Sequence, residues 1–261
     1  MRTLVKAGEQ TAHINLSLAD LAAGESLELP ADGETAAVVL RGRVDAAAAG
    51  TPLGTAGGRD SVFEGPGDTV YAPPGTALRL TALDGGPVQL AIANAAATTA
   101  SPTLAGDLPP ARVITPADQR IAEVGEGNWS RTVRTILGPE HGAVRMLLGE
   151  TINPPGNWSS YPPHRHDRHD PPREVNLEEV YLFKVDPPEG FGVQIRYELD
   201  GDRAEEAFVV RTDDVATIRS GFHPVVAASG YTLYYLWVMA GEGREPMPFF
   251  DPAHAWVQNG R

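Results

Sequence analysis

The chain alternates short apolar runs with turn residues over almost its whole length. In the first half, residues 35–46, 68–83 and 88–97 are rich in Val, Leu and Ala and are bounded by Gly, Pro or Asp. The second half repeats this texture at residues 130–137, 143–152, 178–185, 191–199, 206–218 and 231–241. Several of these runs alternate with period 2, as half-buried antiparallel strands do. The pattern therefore predicts an all-β protein.

Helical patterns are scarce. Residues 15–25 and 115–127 are the best candidates, and we expect no more than a turn or two of helix in each. Residues 94–116 are small, polar and proline-containing, which predicts a linker between two β-rich halves. We therefore expect two tandem β-barrels, an N-terminal domain of residues 1–115 and a C-terminal domain of residues 116–261.

Charge and composition narrow the classes of partner. The 261 residues include 21 basic and 34 acidic side chains, a net charge of −13, which argues against binding to nucleic acid or to an anionic membrane surface. The first 25 residues lack the apolar run of a signal peptide, and no window approaches a membrane span. We expect a cytoplasmic protein that acts on a small molecule. The chain has no cysteine, so His, Asp or Glu must hold any metal ion.

Three of the seven histidines lie within residues 161–170. His164 and His166 are two residues apart, and on an extended strand both side chains point to one face with Cα atoms about 6.5–7 Å apart. The Pro162-Pro163 step disfavours helix here and favours that extended backbone. The pair could bind one metal ion, whereas a solvated polar loop is the alternative interpretation. We assign His169 to the charged turn that follows.

Two distant residues could complete a metal site. Glu179 begins an apolar segment, and His223 follows a turn glycine much later in the chain. Three imidazoles and one carboxylate suit Zn²⁺, Fe²⁺, Mn²⁺, Co²⁺ or Ni²⁺ and leave positions open for water or substrate. Glu178 is adjacent to Glu179 and must face the opposite way on a strand. Both faces are apolar, so the pattern does not choose between the two glutamates.

This arrangement resembles the metal site of a cupin, a small double-stranded β-helix or jelly-roll barrel. In the first half, Gly67, Pro73 and Gly75 match most of the second cupin motif, but Leu78 stands where the motif has His. That half also has no His-x-His pair, so we expect an N-terminal barrel without metal ligands. In the second half, twelve residues separate His166 from the next ligand candidate, a longer spacing than cupins usually have.

The resemblance is narrower than the cupin fold. Residues 58–76, 156–167, 221–241 and 251–257 resemble the 5-deoxy-glucuronate isomerase family of myo-inositol catabolism, whose members are bicupins. The resemblance implies isomerisation of 5-deoxy-D-glucuronate, an aldehyde, to the ketone 2-deoxy-5-keto-D-gluconate through an enediolate. A divalent metal ion, zinc before manganese, iron, cobalt or nickel, would act as the Lewis acid. In related isomerases of pectin breakdown the metal glutamate directly precedes a Val-Tyr pair, which favours Glu179.

The proton-transfer group remains open at this stage. Candidates for the base are Glu178, Asp167, a tyrosine hydroxyl such as that of Tyr161, and metal-bound hydroxide. The substrate's carboxylate needs an arginine fork or several other hydrogen-bond donors.

Three residues of one strand are candidates for binding the substrate. Gln194 and Arg196 share a face of the predicted strand and Tyr197 lies on the other, although the Gln194/Arg196 face could equally be solvated. An iron-dependent cupin dioxygenase and a non-catalytic sugar-acid binding protein are the alternative functions. The aromatic-rich residues 231–241 and the expected edge strands predict a homo-oligomer.

Overall fold

The computed structural model describes residues 1–83, 85–96, 108–199 and 205–259. Nearly all regular structure in these ranges is strand, which confirms the prediction of an all-β chain. The exceptions are three short 3₁₀ helices, at Pro116–Asp118, Gly127–Trp129 and Ala255–Asn259. None of the helices in these ranges is long and apolar enough to cross a membrane.

Ten strands come from the first part of the chain. They are β1 (Arg2–Val5), β2 (Ile14–Leu21), β3 (Ser26–Leu29), β4 (Gly33–Arg41), β5 (Arg43–Ala48), β6 (Thr51–Gly57), β7 (Thr69–Ala72), β8 (Leu78–Ala82), β9 (Val88–Ala96) and β10 (Arg112–Ile114). They form a six-stranded sheet in the order β1-β2-β9-β4-β7-β10 and a four-stranded sheet in the order β3-β8-β5-β6. Their pairings are antiparallel.

Both of these sheets contribute to one hydrophobic core. Val39 and Leu90 come from the larger sheet, and Leu29 and Leu80 come from the smaller one. Leu78, which stands where the cupin motif has His, belongs to the same core and is 1% exposed. This position therefore contributes an apolar side chain to the packing of the barrel.

Twelve strands follow. They are β11 (Arg120–Val124), β12 (Arg131–Leu137), β13 (Leu147–Asn153), β14 (Trp158–Ser159), β15 (His164–Arg165), β16 (Leu177–Asp186), β17 (Gly192–Arg196), β18 (Glu206–Val210), β19 (Val215–Ile218), β20 (Val225–Ala227), β21 (Thr232–Gly241) and β22 (Phe249–Phe250). Their sheets have the orders β11-β12-β13-β21-β16-β19, β14-β20-β17-β18 and β15-β22. The long central strands β16 and β21 pair over their full length and are buried almost throughout.

The chain divides into two compact units. The first comprises Met1–Arg120 and Ile136–Leu147, and the second comprises Ile121–Thr135 and Leu148–Arg261. A buried carboxylate explains why Ile136–Leu147 belongs to the first unit. The Oε atoms of Glu34, which is 0% exposed, accept hydrogen bonds from the backbone N–H groups of Val144, Arg145 and Met146.

Two predicted helices are strands for most of their length. Residues 14–21 form β2, in which Ile14, Leu16 and Leu18 are buried and alternate with less buried neighbours, so the correct period is 2. The stretch 115–127 keeps only single 3₁₀ turns and continues as β11.

Part of the predicted linker is also strand. Asn94–Ala96 ends β9, and Arg112–Ile114 forms β10, which pairs with β7. Both segments therefore complete the six-stranded sheet of the first unit. Residues 97–107 of the linker lie outside the described part of the chain.

Candidate metal centre

His164 begins β15, the short strand that follows the Pro162-Pro163 step. β15 pairs with β22 so that His164 stands opposite Phe250, and the two rings meet edge to face with centroids 5.7 Å apart. Burial, followed by the neighbouring imidazoles of His223 and His166, lowers the pKa of His164 well below its ordinary value. The ring is therefore neutral near pH 7, the form that binds a metal ion.

His166 is oriented by the backbone of the strand that it faces. Its Nδ1–H donates to the carbonyl oxygen of Leu177 at 2.6 Å, and the Leu177 N–H donates to the His166 carbonyl at 2.8 Å. The donor role of Nδ1 leaves Nε2 directed at Glu179 Oε2, 3.2 Å away. This fixed tautomer with Nε2 pointing inward is typical of metal-binding histidines.

His223 is oriented in the same way. Its Nδ1–H donates to the carbonyl oxygen of Gly221 at 2.9 Å, while Nε2 lies 3.3 Å from Glu179 Oε2. The Nε2 atom is buried and makes no hydrogen bond to any described residue. Gly221 has a φ of +85°, and a Cβ added there would lie 2.8 Å from the Tyr197 carbonyl oxygen. Only glycine therefore fits the turn that presents His223.

Two polar side chains hold the His223 turn in place. The Gln194 amide donates from Nε2 to the carbonyl oxygens of His223, at 2.8 Å, and Pro224, at 3.1 Å. Asp167 Oδ2 accepts a hydrogen bond from the Gly221 N–H at 2.6 Å and so ties this turn to the segment that carries the first two histidines. The predicted roles of Gln194 in substrate binding and of Asp167 as a base stay predictions.

Glu179 lies on β16, between its neighbours β19 and β21. It shares a strand face with Tyr181, whereas Glu178 is buried on the opposite face. Burial alone would raise the pKa of Glu179, but the imidazoles of His166 and His223 beside its carboxylate lower the pKa to about 2. The carboxylate is therefore ionised beside the imidazoles, and Glu178 faces away from them.

The four side chains converge. The ligand nitrogens of His164, His166 and His223 lie within 4.8 Å of one another, close enough to share one ion. Glu179 Oε2 is near the Nε2 atoms of two of them, and no described residue donates a hydrogen bond to the Nε2 of His223. Three imidazoles and a carboxylate around one point fit a divalent metal ion, so the cluster could hold one.

A second polar group lies beside the cluster. The Arg131 guanidinium is close enough to the hydroxyls of Tyr181 and Tyr235 to interact with them electrostatically. The rings of Tyr181 and Tyr235 are tilted by 39° with centroids 4.5 Å apart, and their hydroxyls hydrogen-bond to Ser160 Oγ and Ser159 Oγ, respectively. Burial first, and then the charge of Glu179, raises the pKa of Tyr181 well above its ordinary value, so this hydroxyl keeps its proton.

Two of the predicted substrate-binding residues have other partners. Arg196 Nη2 pairs with Glu206 Oε2 at 2.6 Å, on half-exposed side chains. The Tyr197 hydroxyl donates to Asp251 Oδ2 at 2.7 Å. Both polar groups are engaged by neighbouring carboxylates, and their role in substrate binding stays a prediction.

The sequence pattern missed Arg131 and the tyrosine pair. Arg131 Nη1 donates to the carbonyl oxygen of Tyr161, one of the three predicted catalytic residues, whose side chain is half-buried. Nineteen of the 21 basic residues are arginine, so residue type carries no signal for any one of them. Tyr181 shares the strand face of Glu179, and that spacing could have identified it.

Solved structures share this fold. The chain matches the crystal structure of an IolB-like protein from Salmonella typhimurium LT2 with a TM-score of 0.89 and 32% identity, over 98% of this chain and 94% of that chain. It also matches an oxalate decarboxylase of Lactobacillus farciminis with a TM-score of 0.65 and 13% identity, over 97% and 82%. The second likeness shows the fold alone and supports the two-cupin prediction.

Curated proteins match over most of their length. A 5-deoxy-glucuronate isomerase of Geobacillus thermodenitrificans (strain NG80-2) is 36% identical over 231 residues, 88% of this chain and 80% of that protein. The enzyme of the same name from Bacillus subtilis (strain 168) is 34% identical over 248 residues, 94% and 88%. The profile of the KduI/IolB family matches residues 2–257. The chain therefore belongs to the KduI/IolB family.

Proposed function

We propose that the protein is an aldose–ketose isomerase that converts 5-deoxy-D-glucuronate into 2-deoxy-5-keto-D-gluconate. The observation that carries this proposal is the convergence of His164, His166, Glu179 and His223 in the second unit. It is supported by 32–36% identity to proteins named 5-deoxy-glucuronate isomerase. The metal ion of the proposal is divalent, with zinc first and manganese, iron, cobalt or nickel as alternatives.

The reaction moves a carbonyl from C1 to C2 of the substrate. A proton leaves C2, one returns to C1, and the O2 hydroxyl proton is transferred to O1, so that the product is an isomer and no oxidant is consumed. When bound, the divalent ion supplies a Lewis acid that polarises the carbonyl. The protein's own part is to orient the Nε2 atoms of His166 and His223, through the carbonyls of Leu177 and Gly221.

Proton transfer needs a donor and a base within reach of the reacting carbons. Tyr181 retains its proton and faces Glu179, so it can donate to an oxygen on which charge develops. Asp167, Glu178 and Tyr161 remain the proposed candidates for the base. Asp167 has one oxygen engaged by the Gly221 N–H, and Glu178 lies on the face of β16 opposite to Glu179.

The test is an anaerobic isomerase assay on protein stripped of metal and reloaded with Zn²⁺ or Mn²⁺. We expect turnover of 5-deoxy-D-glucuronate without oxygen, lost on stripping and restored by reloading. His164→Ala should abolish turnover and metal retention, whereas His169→Ala, which removes an exposed histidine, should change neither. Full activity of metal-free wild type, or oxygen consumption with the same compound, would overturn the proposal.

A homo-oligomer is also proposed, and sedimentation of a monomer at micromolar concentration would reject it.

A further inference from the structure

Arg131 lies at the first position of β12 and is half-buried. Its Nη1 donates to two backbone carbonyl oxygens, those of Trp129 at 3.1 Å and Tyr161 at 3.3 Å. The guanidinium carbon also lies 5.9 Å from the Trp129 ring centroid. One nitrogen of the guanidinium is thus fixed to the backbone, while the Nε and Nη2 edge, the edge that binds a carboxylate with two parallel hydrogen bonds, remains for another partner.

The charge of Arg131 has no carboxylate partner among the described residues. Two more deeply buried arginines in the second unit do have such a partner: Arg134 pairs with Glu150 at 3.3 Å, and Arg165 pairs with Glu174 at 3.4 Å. A guanidinium removed from water without a counter-charge is costly, and burial indeed lowers the pKa of Arg131. In a chain with 34 acidic and 21 basic residues, an arginine that is left unpaired needs an explanation.

The position of Arg131 beside the candidate metal ligands explains why it has no carboxylate partner among the described residues. Its backbone partner Tyr161 is three residues before His164, and the guanidinium charge contributes to the low pKa of His164, after burial and the neighbouring imidazoles. The same charge interacts with the Tyr235 and Tyr181 hydroxyls. A permanent cation and two phenol hydroxyls therefore lie next to the candidate metal ligands, as an anion-binding group would.

We infer that Arg131 binds the carboxylate of the substrate and selects a sugar acid over a neutral sugar. The inference rests on the proposed isomerase function, in which C1 and C2 of the substrate would lie at the metal centre and the carboxylate at the far end of the molecule. Binding of the carboxylate neutralises the half-buried guanidinium, and the Tyr235 hydroxyl provides a further donor. Arg196, which the strand pattern predicted for this role, already pairs with Glu206.

The experiment compares Arg131→Gln and Arg131→Lys with wild type on two compounds. One is 5-deoxy-D-glucuronate, and the other is 5-deoxy-D-glucose, in which a neutral hydroxymethyl group replaces the carboxylate. For Arg131→Gln we expect kcat/KM for the acid to fall about 10- to 100-fold, since a charge-assisted bidentate contact is lost. Activity on the neutral sugar should stay within about threefold of wild type. Arg131→Lys should recover part of the loss, because it restores the charge without the fork.

Two controls separate a binding role from a structural one. Zinc content of each variant should equal that of wild type, and Arg79→Gln, which removes an exposed arginine paired with Glu28, should leave both activities unchanged. Equal losses of Arg131→Gln on the acid and the neutral sugar, or no loss on the acid, would contradict the inference.

A failure of the proposed reaction is recognised separately. If wild type turns over neither compound, calorimetry on the zinc-loaded protein compares binding of D-glucuronate and D-glucose. Binding of D-glucuronate that weakens about 10-fold or more in Arg131→Gln keeps Arg131 as the carboxylate-binding residue of a protein with another function. If wild type and Arg131→Gln bind D-glucuronate equally well, both the inference and the proposed function are overturned.

Discussion

At the scale of single residues, the candidate metal centre depends on hydrogen bonds between its histidine side chains and the backbone. His166 and His223 both donate Nδ1–H to a backbone carbonyl, of Leu177 and Gly221, and both direct Nε2 at Glu179. The carbonyls fix the tautomer and the ring orientation, so the two nitrogens are placed before an ion binds. This preorganisation reduces the entropy that the side chains lose on binding an ion.

Gln194 is expected to affect metal affinity without contacting the ion. In Gln194→Leu the carbonyls of His223 and Pro224 lose their donor, and the turn that presents His223 loosens. We expect zinc affinity to fall about 10-fold, the lower end of the effect of residues that support metal ligands. Competition with a chromogenic chelator measures this. Unchanged affinity with reduced activity would instead favour the predicted role of Gln194 in binding the substrate.

The pH dependence of metal binding follows from His166. Burial alone would lower the pKa of His166, but the hydrogen bond to and the charge of Glu179 raise it, so without metal this ring holds a proton to a higher pH than an ordinary histidine. An incoming ion must displace that proton. Zinc affinity should therefore fall as the pH is lowered from about 8 to about 6, around the ordinary histidine value. Chelator competition across this range, corrected for the chelator's own protonation, should show the decline, and a flat profile would contradict it.

At the level of elements, the long connection between the two halves of the site is ordered by a buried glutamate. Glu174 accepts hydrogen bonds from the N–H groups of Asp167, at 2.8 Å, and Arg168, at 3.0 Å, and pairs with Arg165. A further bridge joins Asp170 to Glu174. The twelve residues after His166 therefore return the chain to β16 in a fixed register, and Glu179 reaches the histidines despite the unusual spacing.

The backbone of the Gly221 turn has a conformation that favours glycine and leaves no room for a Cβ atom. Gly221→Ala combines a positive φ with a Cβ 2.8 Å from the Tyr197 carbonyl oxygen, whereas Gly230→Ala has the same φ of +85° and nothing within 4 Å. We expect Gly230→Ala to cost about 1 kcal/mol of unfolding free energy and Gly221→Ala clearly more, with weaker zinc binding as well. Urea unfolding and chelator competition measure both effects. Equal costs for the two variants would show that the turn relaxes freely.

For the molecule as a whole, Glu34 has a structural role comparable to that of the metal ligands in the second unit. It is fully buried, and besides three backbone N–H groups of residues 144–146 it accepts a hydrogen bond from the Tyr71 hydroxyl at 2.7 Å. The segment Ile136–Leu147 thereby becomes part of the first unit although it is separated in sequence from the rest. No local sequence pattern predicts that this segment belongs to the first unit.

Removal of that carboxylate should destabilise the protein strongly. In Glu34→Ala three buried backbone N–H groups lose their acceptor, and each unsatisfied donor costs about 1–3 kcal/mol, so we expect a loss of at least about 3 kcal/mol in unfolding free energy. Glu28→Ala, which breaks an exposed pair with Arg79, should cost no more than about 1 kcal/mol. Chemical denaturation of both variants checks the difference, and similar stabilities would refute the structural role of Glu34.

The sequence alone determined the all-β class and most of the strands, and together with the family resemblance it predicted the four residues that converge. Period-2 patterns are local properties, and His164, His166, Glu179 and His223 occur with motifs that resemble one family. Residues 14–21 escaped prediction as a strand because Leu and Ala suit helix and strand alike in a short run.

The tertiary structure alone decided the roles of residues whose partners are distant in sequence. Glu34 binds backbone groups 110–112 residues away, and Gln194 acts on carbonyls 29 and 30 residues away. Arg131 is one arginine among nineteen in the sequence, and only folding places it near the imidazoles with no carboxylate partner of its own among the described residues. Hydrogen bonds and charge interactions depend on distance in space, and a pattern along the chain contains that distance only for near neighbours.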